Sequence, residues 1–193
     1  MSAATTKTSK EAEKGVERKN GNQKSYLAPE QLATPTDLQA KEVKEVVETI
    51  NPLIADAFVL YVKTKNFHWH VASSHFRDYH LLFDEQAQSI LESIDPLAER
   101  VRRIGGLTIR GIDHIASLQT IKNDERTFVP PDEMIAELLQ DNGKMAKAIR
   151  EAIETCEENR DTPTANLLQE ILDQTEKRSW FLHAVSTGAK NAY

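Results

Sequence analysis

The chain has 193 residues, 39% hydrophobic and 28% charged, enough for one domain with its own core. A net charge of −6 argues against a generic polyanion binder, and the single cysteine, Cys156, excludes an intrachain disulfide and suits a reducing compartment. No apolar run reaches membrane-spanning length and the first thirty residues hold no signal-peptide core, so a cytoplasmic protein with no membrane partner is expected.

Residues 1–35 are polar, and the sequence predicts a flexible tail there. Up to Lys24 its cations are Lys7, Lys10, Lys14, Arg18, Lys19 and Lys24, against Glu11, Glu13 and Glu17. A basic tail thus hangs from a body more acidic than the whole. Many such tails on one particle would hold DNA multivalently, neutralising phosphates without reading sequence. The interleaved glutamates also suit a plain solubilising extension.

Thr36 and Gln39 form a capping-box pattern, which predicts a helix opening there. Its apolar face runs through Val43, Val46, Val47, Ile50, Leu53, Ile54 and Ala57 to Tyr61. Asn51-Pro52 interrupts it, predicting either a kink or a restart capped by Asn51. A second helix is expected from about His75 to Ile104, stopped by Gly105-Gly106. Leu107 to Val129 then forms a connector too long to lack structure, with Ile112 to Leu118 as a short helix within it. Pro130-Pro131 introduces a third helix, about Asp132 to Glu158, where Cys156 is expected as a small packing residue. A fourth is expected with Thr162 as cap and Pro163 at its first position, ending at Gly188. Between these two lies an acidic turn of Glu154, Glu157, Glu158 and Asp161. The fold class is therefore all-α: a four-helix bundle over residues 36–190, with one long crossover carrying a short extra helix, and 191–193 as the C-terminal end.

The chemistry concentrates in His68, His80, Asp84, Asp95 and Glu99. On the second helix, the last four fall within roughly 100° of arc, beside the apolar stripe of Phe83, Ala87, Ile90 and Ile94. Asp84 and Asp95 are roughly 16 Å apart along the axis, so no single ion touches both pairs. Each pair is half a site. A second copy laid antiparallel across a two-fold axis completes both halves, since such an interface is self-complementary. His68 joins His80 and Asp84 if the chain turns back at Ala72-Ser73-Ser74. Imidazole and carboxylate without thiolate suit iron, manganese or zinc. No Glu-x-x-His is present to build a di-iron site inside one subunit.

The runs Asn66-Phe67-His68-Trp69-His70-Val71, Phe76 to Gln86 and Asp95-Pro96-Leu97-Ala98-Glu99-Arg100, ending in Gly105-Gly106, resemble the Dps family, the mini-ferritins of the ferritin-like superfamily. The resemblance spans about Asp37 to Gly188 and is most specific between Lys63 and Gly106. It implies that His68, His80 and Asp84 of one subunit, with Asp95 and Glu99 of its two-fold mate, hold two irons. It further implies a hollow homododecamer that oxidises Fe(II), usually with hydrogen peroxide, and stores Fe(III). Trp69 would aid electron transfer, the acidic turn would line iron-admitting pores, and the location would be the bacterial cytoplasm, at the nucleoid where DNA is bound. Two positions depart from the family pattern: His70 stands for its usual Asn, and Ser73 for its usual Gly. Ser73 predicts either a turn that needs no positive φ or one that Ser tolerates at some cost. His70, His75 and Asp78 are candidates for an accessory metal site or are plain exposed turn residues. Two alternatives stay open: a DNA-compacting or structural cage whose metal sites are not redox active, and a manganese or zinc protein. A haem ligand is disfavoured, because among Met1, Met134 and Met145 one lies in the tail and two in the expected core.

Overall fold

The computed structural model describes residues 26–188. The tail cations Lys7 to Lys24 and the C-terminal end therefore lie outside the described residues. Five α-helices follow one another: α1 (Ala40–His70), α2 (Phe76–Arg103), α3 (Ile112–Leu118), α4 (Pro131–Glu158) and α5 (Thr162–Gly188). Among the described residues the only β-pairing is an isolated bridge between Leu27 and Gly106. The four long helices form the bundle and α3 is the extra helix of the crossover, as the periodicity predicts.

Helix α1 starts later than expected. Gln39 is its N-cap, and the Glu42 carboxylate accepts the Gln39 backbone N–H at 2.6 Å, so the capping box sits three residues beyond the expected Thr36. Thr36 instead accepts the Leu38 N–H within the preceding turn. The helix passes through Pro52 without a break, and Asn51 is no cap. Its side chain donates to the Leu107 carbonyl at 2.9 Å, tying α1 to the start of the crossover. One helical turn on, buried Asp56 accepts the backbone N–H groups of Thr120 and Ile121 and the Thr120 hydroxyl. These anchors, with Ile115, Ile121 and Val129 buried, hold the long connector against the bundle.

The attached chain begins ahead of the boundary expected at residue 35. The Ala28 N–H donates to the Gly105 carbonyl and the Leu107 N–H to the Tyr26 carbonyl, both at 2.9 Å. Arg102 donates to the Leu32 carbonyl. Gly105 takes φ +83°, which ends α2 and turns its carbonyl toward this segment.

The core is continuous through the bundle. Val46, Val47, Ile50, Ile54 and Leu60 of α1 meet Phe83, Ile90 and Leu97 of α2, Met134, Leu138 and Ile149 of α4, and Leu168 and Leu182 of α5. Each large side chain so buried contributes about 1.5–3 kcal/mol. The sequential pairs α1/α2 and α4/α5 pack most closely, and α2 meets α5 most thinly. Cys156 is buried, and desolvation pushes its thiol up to about 12, which leaves it an inert packing group.

Helix α5 starts differently from the expectation. Asp161 of the acidic turn is buried; it accepts the Thr164 N–H at 3.2 Å and an Arg100 N–H at 2.6 Å. Asp161, rather than Thr162, therefore satisfies the free N–H groups of the first turn. Its position is set by Arg160, which adopts φ 62° after the end of α4 and donates twice to Glu42. Glu154, Glu157 and Glu158 remain exposed.

Candidate metal centre

The turn from Val71 to His75 folds the end of α1 back onto the start of α2. The Ser73 side chain accepts the His75 N–H at 3.0 Å, and the Ser73 carbonyl accepts that of Phe76 at 3.1 Å. Ser73 has no positive φ, so this turn needs no glycine.

The turn presses His68 and His80 face to face, with ring centroids 3.7 Å apart and planes 22° from parallel. Each imidazole binds the backbone of the other's helix. His68 Nδ1 lies 2.7 Å from the His80 carbonyl, and His80 Nδ1 lies 2.8 Å from the His68 carbonyl. A carbonyl oxygen can only accept, so each Nδ1 carries the hydrogen, and the lone pair available for a metal is the one on Nε2. This is how a backbone carbonyl prepares a histidine for a metal. Phe76 stacks on the outer face of His80 at 5.0 Å, and His68 is 8% exposed, so both rings are held in place.

Asp84 lies one turn beyond His80 and points toward the pair, its Oδ1 4.0 Å from His68 Nε2. The same oxygen accepts from Lys65 Nζ at 2.7 Å, and this hydrogen bond holds the Asp84 carboxyl below the usual carboxylate range. Lys65 Nζ also sits 5.8 Å from the centre of the Trp69 ring. The sequence reading missed Lys65. The available signal was its spacing: three residues before His68 and four before Trp69, it shares a helix side with both.

Asp95 and Glu99 are exposed further along α2, with the Glu99 carboxylate 2.5 Å from Arg103. The structure brings His68, His80 and Asp84 together and leaves Asp95 and Glu99 apart from them. Among the described residues of one chain, no three His, Cys, Asp or Glu side chains form a closed metal-binding group. Trp69 is 62% exposed beside the site. His70 is tied to the Asn66 carbonyl of its own helix, and His75 lies 3.9 Å from Asp78, both well exposed.

A ferritin-like domain model matches residues 47–190. DNA protection during starvation protein 1 of Deinococcus radiodurans is 32% identical over 77% of this chain and 72% of its own length. DNA protection during starvation protein of Brevibacillus brevis is 34% identical over 72% of this chain and 93% of its own. The chain belongs to the Dps family. Solved Dps structures agree with its fold. A Dps protein from Bacillus brevis superimposes with a TM-score of 0.73 at 30% identity, covering 77% of this chain and 99% of that one. The archaeal Dps homologue from Halobacterium salinarum gives 0.76 at 25% identity, covering 90% and 93%. Iron storage and DNA protection are the business of the Dps family, and membership implies iron binding. Among the described residues no helix is long and apolar enough to cross a membrane.

Proposed function

We propose that this Dps chain oxidises Fe(II) at a two-iron site shared by two copies, and stores the Fe(III) inside a homododecamer. The observation that carries this reading is the reciprocal imidazole–carbonyl lock, which leaves Nε2 of His68 and of His80 free beside the Asp84 carboxylate. Asp95 and Glu99 of a two-fold mate supply the missing donors, since they share the α2 arc of His80 and Asp84. Iron is the substrate. Hard carboxylates favour Fe(III) over Fe(II), because the added charge falls on anionic oxygen. With peroxide as oxidant, two Fe(II) and one H₂O₂ consume two protons and give two Fe(III) and two H₂O. Both electrons leave together, so no hydroxyl radical is released, and this protects DNA. Trp69, next to His68 on α1, is the residue that would relay an electron. Iron enters past Glu154, Glu157 and Glu158, whose charges draw cations.

The test is anaerobic addition of Fe(II) to the purified protein, then peroxide, with ferric absorbance followed beside an Asp84→Ala, Glu99→Ala variant. Rapid oxidation in the parent and a loss of at least about a hundredfold in the variant is expected, in line with the loss of metal ligation. Equal rates would leave the cage without redox chemistry, or the manganese or zinc reading, in its place. For DNA, the reading is sequence-independent contact through Lys7, Lys10, Lys14, Arg18, Lys19 and Lys24 in the bacterial cytoplasm. Deleting residues 1–24 is expected to abolish a salt-sensitive gel shift; an unchanged shift would move the contact elsewhere on the protein.

A further inference from the structure

Where α2 and α5 pack thinly, a cavity of about 150 Å³ opens between them. Its lining includes Glu85, Gln86 and Ser89 of α2, with Lys177 and Arg178 of α5. Arg178 is only 6% exposed. Its Nε donates to Asn142 Oδ1 at 2.9 Å, Nη1 to Ser89 Oγ at 3.0 Å and Nη2 to Thr175 Oγ1 at 2.8 Å. All three acceptors are neutral, and among the described residues no carboxylate pairs with this guanidinium. Burial alone pulls it down to about 10, so it stays charged at neutral pH. A guanidinium has five N–H donors, and two on the terminal nitrogens are left over.

A second polar mismatch sits beside the first. Gln86 is 4% exposed, and its Nε2 donates to the Arg178 carbonyl at 3.2 Å. Its Oε1 is buried with no hydrogen-bond partner. A buried cation without a counter-charge and a buried acceptor without a donor are each costly, and here they line one cavity. Lys177 stands exposed beside them.

We propose that this cavity is an oxyanion site that selects hydrogen phosphate. The guanidinium of Arg178 and the ammonium of Lys177 donate to the P–O⁻ oxygens, and the remaining P–OH donates to Gln86 Oε1. Sulfate and a protein carboxylate have the charge but lack that hydrogen at neutral pH. The cavity lies on roughly the opposite side of α2 from His80, Asp84, Asp95 and Glu99. The site therefore stands apart from the iron reading and is tested without iron.

The experiment is calorimetric titration of the iron-free, full-length protein with sodium phosphate, and separately with sodium sulfate, in a low-salt buffer. Saturable binding of one phosphate per chain is expected, with sulfate weaker by about tenfold, the worth of one hydrogen bond to a charged group. Arg178→Gln and Lys177→Met are each expected to weaken phosphate by about fivefold or more, and Gln86→Leu to bring phosphate down to the sulfate value. Lys177 is a surface residue, so Lys177→Met folds even if Arg178→Gln does not. No saturable binding, or binding untouched by Lys177→Met, overturns the site. Equal affinity for phosphate and sulfate in the parent overturns the selection of hydrogen phosphate.

Discussion

In the proposed centre, Lys65 competes with a metal for the Asp84 carboxylate, and the strength of that competition can be bounded. The pair is partly solvated, with Asp84 more than half exposed, and such pairs contribute about 0.2–1 kcal/mol. Lys65→Met is therefore expected to raise zinc affinity at neutral pH by up to about fivefold, read by calorimetry with this redox-silent ion. A fall in affinity would mean instead that Lys65 holds Asp84 in its ligating orientation. The contrast with the histidines shows what a sequence conveys. That His68, His80 and Asp84 come together was legible, because helical spacing and the turn at Ala72-Ser73-Ser74 place them side by side. Their tautomers were not, since those depend on carbonyls brought across from the other helix by a turn. The burial of Asp161 was hidden for a similar reason: three neighbouring glutamates face water, while this carboxylate meets Thr164 and Arg100, the latter sixty-one residues earlier.

The helices themselves were largely legible, because their 3.6-residue apolar period is local information. Their starts were less so, for a cap is decided by which side chain reaches a free N–H, and neighbouring candidates compete. Thr36 lost to Gln39 with Glu42, whose carboxylate gains a second partner in Arg160 from the α4–α5 turn. Thr162 lost to Asp161, which gains Arg100 of α2. Tertiary partners thus settled both choices. For α5 the consequence is measurable. Asp161→Ala removes a cap, worth about 1 kcal/mol, and leaves the half-buried Arg100 without its carboxylate, a type of loss worth about 3–5 kcal/mol when fully buried. A combined destabilisation of about 2–5 kcal/mol is expected in urea unfolding, with the midpoint falling and the slope unchanged. A loss under about 1 kcal/mol would show that water replaces the carboxylate at Arg100.

One chain carries both halves of the proposed centre on α2 yet closes neither, and this sets a requirement on the assembly. If His68, His80 and Asp84 of one copy work only with Asp95 and Glu99 of another, defects in opposite halves complement each other. Consider chains carrying Asp84→Ala mixed with chains carrying Glu99→Ala, unfolded together and reassembled. A mixed dimer has one site with both defects and one with neither. Random pairing makes about half of all dimers mixed, so about a quarter of all sites are intact, while either variant alone has none. Peroxide-dependent iron oxidation is therefore expected to return to about a quarter of the parent rate on mixing. A site built inside one chain predicts no recovery, because every copy then carries its own defect. The same mixture separates the two roles of the interface. In the proposed assembly, recovery of activity needs both halves to meet across the two-fold axis, whereas formation of the dodecamer would need only the surfaces around them. Size-exclusion chromatography of each variant alone, run beside the mixture, is thus expected to give one elution volume throughout while the activity differs.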